Sequence, residues 1–206
     1  MDIHSSTNFT VPRGVKKIDC FCVGGGASGN AIAGDGDVAG CGAGYTRTES
    51  GVKVNSREVI PIVIGAGGAG CENGATKGST TQVSSINFII NAGGGQISNA
   101  YVGGNGGSGG GCCARPGGKD GDNGEAGSFS YDIPGTGQQT TTRYFGESNG
   151  TLYSTGGCGT NSGIYWVGGE TNTGNAGSSR TFSFPWLYSN PGGSGVCIIR
   201  WDDQKS

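Results

Sequence analysis

Phe9-Thr-Val-Pro-Arg-Gly-Val15-Lys-Lys-Ile18-Asp-Cys20-Phe-Cys22-Val23, running straight into Gly24-Gly25-Gly26, holds the two materials of this chain in one stretch. Ile18, Cys20 and Cys22 alternate with Asp19, Phe21 and Val23, the period-two pattern of a strand with one face toward a core, and the triple glycine ends it. A strand over 15–23 is therefore expected. Working outward, further strand candidates are 45–48, 52–54, 59–64, 86–91, 140–145, 151–153 and 196–201, nearly all bounded by Gly, Pro, Asn or Ser. No window carries a helical apolar stripe. Ile and Val dominate the apolar residues, while Leu is limited to Leu152 and Leu187 and Met to Met1, a bias toward branched side chains that fit a pleated sheet. The reading is an all-β fold, a β-sandwich or jelly-roll-like core in which the first and last strands are neighbours.

Between the strands lie glycine-rich tracts at about 24–44, 65–78, 93–127 and 156–177. Of 206 residues 47 are Gly and 6 Pro, so these two types make up just over a quarter of the chain. Gly103, Gly106, Gly109, Gly118, Gly121, Gly124 and Gly127 share a three-residue register, the period at which extended left-handed helices pack closely. Gly156, Gly159, Gly168, Gly174 and Gly177 keep a weaker version, and the tracts at 24–44 and 65–78 do not keep it. Collagen is excluded by the short repeat and scarce Pro. The expectation is a partly polyglycine-II-like layer with long loops, in which backbone pairing replaces apolar burial. Ordering glycine is costly in entropy, so such a layer needs staples. Cys41, Cys71, Cys112, Cys113 and Cys158 lie in or beside the tracts, either as disulfide staples or as small buried apolar residues. Residues 1–8 read as a tail, 9–201 as one glycine-rich β domain and 202–206 as a second tail.

A formal net charge of −2 lacks the basic field that a phosphate backbone requires, so nucleic acid is not an expected partner. The longest apolar run, Val59 to Ile64, contains Pro61 and is too short to span a bilayer, so no membrane insertion is expected. The first residues carry no export signal, whereas eight cysteines suggest an oxidising environment. Both clues fit a protein made in a host cytoplasm that works outside it.

Enzymatic constellations are weak. The one histidine, His4, sits in the expected tail, so a nucleophile–imidazole system lacks its base. Gly24-x-Gly26-x-x-Gly29 matches a dinucleotide fingerprint in form, but no helical pattern follows it. Lys77 precedes Gly78 and so breaks the phosphate-loop order. Cys20-x-Cys22 and Cys112-Cys113 lack zinc-ribbon spacing, and the acids of Asp35-Gly-Asp37 and Lys119–Glu125 read as solvated turns before they read as calcium ligands. No catalytic residue, metal or cofactor is assigned. Aromatic residues on loops give the more useful signal, because flat rings with a polar handle suit stacking on sugars or protein surfaces. Tyr165, Trp166, Trp186 and Tyr188 are the binding candidates, while Phe182 and Phe184 read as rings that plug the second face of the sandwich or cover an oligomer seam.

Three stretches look familiar together. These are Phe9-Thr-Val-Pro-x-Gly-Val-x-x-Ile with its Val-Gly-Gly-Gly, then Gly137-Gln-x-Thr-Thr-Thr-Arg-x-Phe-Gly-Glu147-x-x-Gly-Thr-Leu-Tyr153, and Gly192-Gly-Ser-Gly-Val-x-Ile-Ile-Arg200. Over most of residues 9–201 the chain resembles the glycine-rich domains at the ends of bacteriophage tail fibres and in prophage-borne or bacterial surface proteins. That resemblance implies a virion or surface module, a fibre tip touching a host-surface glycan or protein, homo-oligomeric and most simply trimeric, with no catalytic residues carried across. The rival expectations are a self-assembling architectural coat or decoration protein without ligand, then an ice- or mineral-binding surface, and last a glycan hydrolase.

Overall fold

The computed structural model describes residues 1–33, 38–72, 74–99, 102–111, 142–157, 159, 168–182 and 188–202. Among these, the strands are β1 (Asp2–Ile3), β2 (Thr7–Thr10), β3 (Lys17–Val23), β4 (Ala31–Ala33), β5 (Thr46–Lys53), β6 (Val59–Val63), β7 (Thr81–Ser84), β8 (Ile89–Ala92), β9 (Arg180–Phe182) and β10 (Val196–Arg200). One antiparallel sheet has the order β1-β10-β3-β5 and a second the order β2-β6-β7-β8, while β4 and β9 form a short parallel pair. The inner faces share a core. Ile3, Ile18, Cys20, Cys22, Cys197 and Ile199 from the first sheet pack with Phe9, Ile60, Ile62, Val83 and Ile90 from the second. This is the expected all-β sandwich, and the strand read at 15–23 does pair with the last strand, Cys22 opposite Cys197 and Cys20 opposite Ile199.

The structure corrects several local readings. Residues 1–8, read as a tail, carry β1 and the first half of β2, because Asp2–Ile3 completes the edge beside β10 and buries Ile3. The candidates at 45–48 and 52–54 are one strand, β5. Its Glu49-Ser50-Gly51 looks like a turn but is a bulge: Cys20 pairs Glu49 while Ile18 pairs Val52, and Gly51 takes up the extra residue at φ +65. Asp19 fixes the bulge by accepting the Gly51 N–H at 2.7 Å. Residues 142–145 are not a strand. Arg143 makes a single bridge to Leu152, and the chain then turns tightly over Tyr144–Gly146, with Phe145 at φ 50 in the left-handed region that no strand adopts. That turn lets Tyr144, Phe145 and Tyr153 cover Phe21 on the outer face of the first sheet.

Beyond the sandwich the same strands continue into a second kind of packing. Segment 24–29 leaves β3, and its amides donate in strict rotation to three neighbours. Gly24 and Ala27 bond Tyr45 and Gly42, Gly25 and Ser28 bond Ser79 and Thr76, and Gly26 and Gly29 bond Gly193 and Asn190. Each acceptor number falls by three as the donor rises by three, so each neighbour runs antiparallel with a three-residue period, that of an extended left-handed helix. Three more segments donate back, Gly95 to Gly25, Gly68 to Gly26 and Gly177 to Ala27. Segment 24–29 is thus hydrogen-bonded to six neighbours.

Glycine is required here by space. A Cβ on Gly25 would stand well under 3.0 Å from the Ala66 carbonyl oxygen, and one on Gly78 would meet the Gly25 carbonyl oxygen as closely. Ala27, Cys41 and Ala43 keep side chains at fully buried positions where the lattice leaves room. Segment 24–29, from a tract that lacks a glycine triplet register in sequence, therefore sits at the centre of the layer, while 65–70 and 76–79 pack beside it with exposed positions at Ala66, Ala69 and Lys77. The period belongs to the backbone and not to the spacing of Gly.

Candidate functional site

Six layer segments are direct continuations of sandwich strands: 24–29 follows β3, 40–45 leads into β5, 65–70 follows β6, 76–79 leads into β7, 93–97 follows β8 and 190–195 leads into β10. The layer consequently has a root at the sandwich and a far end. At the root Thr81 bridges the two packings, its buried hydroxyl donating to the Val23 carbonyl at 2.7 Å and accepting the Gly65 N–H at 2.9 Å. At the far end lie the β4–β9 pair and the isolated bridges Ala31–Gly74, Glu72–Tyr188 and Asn99–Val102, where the chain crosses between segments.

Of the four aromatic candidates, Tyr188 is described. It stands at the far end with 56% of its surface exposed. Its position is set from both sides of a short ladder: Ser189 donates its N–H to the Cys71 carbonyl at 2.9 Å, the Cys71 N–H returns to the Ser189 hydroxyl at 2.9 Å, and Glu72 pairs with Tyr188. An exposed ring on a buried serine anchor gives a rigid apolar surface with a phenolic handle, suited to stacking. Tyr165, Trp166, Trp186 and Phe184 lie outside the described residues, as do the acids of 35–37 and 119–125. Phe182 is the last residue of β9 and so also reaches this end.

Cys41 and Cys71 carry free thiols. Cys41 is buried inside the layer, its sulfur accepting the Ser98 N–H at 3.2 Å beside the Ser98 hydroxyl at 3.4 Å, and burial pushes its thiol up from the ordinary range. Cys112, Cys113 and Cys158 lie outside the described residues. Among the described residues no group of three His, Cys, Asp or Glu side chains could hold a metal ion, and His4 is exposed between β1 and β2.

Sequence reasoning missed a second cluster, on the flank of the sandwich. Arg200 pairs with Asp19 at 3.0 Å and Glu147 at 2.6 Å, and its guanidinium carbon lies 3.9 Å from the centre of the Phe145 ring. The Gly51 N–H, opposed by burial and helped by Arg200, holds the Asp19 carboxyl below its ordinary range, and the Glu147 carboxylate raises Arg200. Lys17, Gly51, Arg200, Trp201 and Asp202 line a shallow groove of about 180 Å³ beside it. The cluster ties the 142–153 segment to the first sheet. A signal was present: Phe145 and Glu147 come from the middle familiar stretch and Arg200 from the closing one, so those stretches meet as a structural clasp.

A model of the family described as a glycine-rich domain matches residues 3–202, nearly the whole chain. A search of curated proteins gave no match.

Proposed function

The chain belongs to the glycine-rich domain family, and from that premise we propose that it is a non-enzymatic structural and adhesion module of a phage particle, like the tip of a tail fibre. In this reading it is made in the host cytoplasm, acts in the released virion, and presses its loops on a host-surface glycan or protein. One observation carries the reading: six sandwich strands run on into a single packed bundle whose far end bears the chain crossings and the exposed Tyr188. Such a bundle is a stiff spacer, because every segment is hydrogen-bonded sideways to several others. Stiffness at the contact end lowers the entropy lost on binding. Tyr165, Trp166, Trp186 and Tyr188 supply the stacking surface, and association into trimers multiplies weak contacts. The test is binding of the purified chain to host cells and a glycan array. Replacing Trp166, Trp186 and Tyr188 together by Ala should reduce binding at least about tenfold. Full binding by a folded triple variant would remove the proposed site.

A second reading, an architectural coat or decoration protein without ligand, is favoured by a different feature. Val59, Val63 and Ile89 stand exposed on the outer face of the second sheet, a surface suited to another copy of the chain. Sedimentation showing assemblies larger than a trimer, with no cell binding, would favour it.

A further inference from the structure

We propose that Cys22 and Cys197 form a disulfide across the two central strands of the first sheet when the chain meets a disulfide oxidant such as oxidised glutathione. The two residues are direct partners in the β3–β10 ladder. Met1 and Ile199 exchange both backbone hydrogen bonds, so the polar groups of Ile199, and of Cys197 two residues before it, face β1. Those of Val196, Ile198 and Arg200 then face β3, which makes Cys22 and Cys197 a non-hydrogen-bonded pair. Such pairs bring their Cα atoms to about 4.5 Å, inside the range of about 4.4–6.8 Å that a disulfide spans. The two sulfurs are already in contact at 3.6 Å, so closure needs a shift of about 1.5 Å, within the reach of side-chain rotation. The other three described thiols are placed differently, Cys20 opposite Ile199, Cys41 against Ser98 and Cys71 beside Ser189.

The reaction balances as ordinary thiol exchange. One cysteine thiolate attacks a sulfur of the oxidant and expels one glutathione thiolate. The second cysteine thiolate then attacks the protein sulfur of the mixed disulfide, forming the Cys22–Cys197 bond and expelling the second. The two protons given up by the cysteines end on the two glutathione thiols, and the oxidant takes both electrons. Both thiols are buried in the closed sandwich, and their contact together with burial pushes the Cys22 thiol up, so thiolate is scarce there. Exchange therefore takes place while the sheet is assembling. The bond would lie beside the root of the glycine layer, since Val23 leads into Gly24 and Gly195 into Val196, and the two segments go on paired from Gly26 to Gly193. It would clamp the central glycine segment to one of its six neighbours.

The test uses the whole chain, refolded from denaturant in a reduced and oxidised glutathione buffer, acid-quenched, alkylated, digested and mapped by mass spectrometry. The expected result is a linked Cys22–Cys197 peptide that disappears on reduction, with the oxidised protein melting about 5–10 °C above the reduced one. Alkylation of both cysteines after oxidative refolding, or their linkage to other cysteines instead, would overturn the proposal.

Discussion

The sandwich and the glycine layer are built from the same continuous segments, yet they exclude water by opposite means. In the sandwich Phe9, Ile18, Ile60, Ile62, Val83 and Ile199 fill the space between two sheets. Facing sheets lie about 10 Å apart, so a lost methyl group leaves a hole that neighbours partly fill. In the layer the side chains are few and small, and little in them can adjust. Main chain lies against main chain, and every segment depends on the position of several others. Net stabilisation per hydrogen bond is only about 0.5–1.5 kcal/mol, so the layer holds because the bonds form together over a well-ordered root. At Val23–Gly24 the chain passes from one regime to the other within a single peptide unit.

The sharpest way to break that contrast is Gly25→Val. Its side chain would fall on the Ala66 carbonyl, and because backbone surrounds the site the displacement would spread through the six-neighbour bundle. The expected result is loss of the cooperative thermal transition and of near-ultraviolet circular dichroism. A Gly25→Val protein that melts like wild type would show the layer to be compliant. Ile60→Ala probes the other regime, where about 3 kcal/mol should be lost with the fold retained, read as a shifted denaturant midpoint. Thr81→Val sits at the seam. It preserves shape but leaves the Gly65 N–H without its acceptor and costs the Val23 carbonyl one of its hydrogen bonds, so about 2 kcal/mol should go, with faster amide exchange at Gly65 as the local signature.

The smallest effect lies on the outer flank. Because the folded protein lowers the Asp19 pKa from 3.8, the folded state binds that proton less readily than the unfolded one. Its contribution is complete above the unfolded value and is lost as pH falls through the lower folded value. Asp19 and Arg200 are both partly exposed, so the contribution is under about 1 kcal/mol. Asp19→Asn should be slightly destabilised at about pH 7, and the difference from wild type should shrink as pH falls through the folded value in an acid titration followed by circular dichroism.

These two regimes also differ in how well they can be read. β3 and β10 were legible because alternation at Ile18, Cys20 and Cys22, and the run Val196 to Ile199, report burial directly. β7 was not, since Thr81-Gln-Val-Ser offers only Val83 as an apolar residue and its burial is conferred by neighbours. Tyr144 and Phe145 looked like a strand because aromatic residues favour sheets, but Phe21 and Arg200 draw them into a turned cap. Of the candidate site, the sequence picked out Tyr188 by its ring. The Cys71–Ser189 ladder that fixes it joins residues 118 positions apart and left no local trace.

The amino-acid order alone determined that branched apolar strands alternate with stretches too poor in side chains to make a core of their own. Which stretches pack together was decided only in three dimensions. Every residue other than proline offers the same amide and carbonyl, so nothing in the letters tells Gly25 to bond Ser79 or Gly26 to bond Gly193. Those choices follow from where the sandwich roots each segment and from where a neighbour's carbonyl leaves no room for a Cβ.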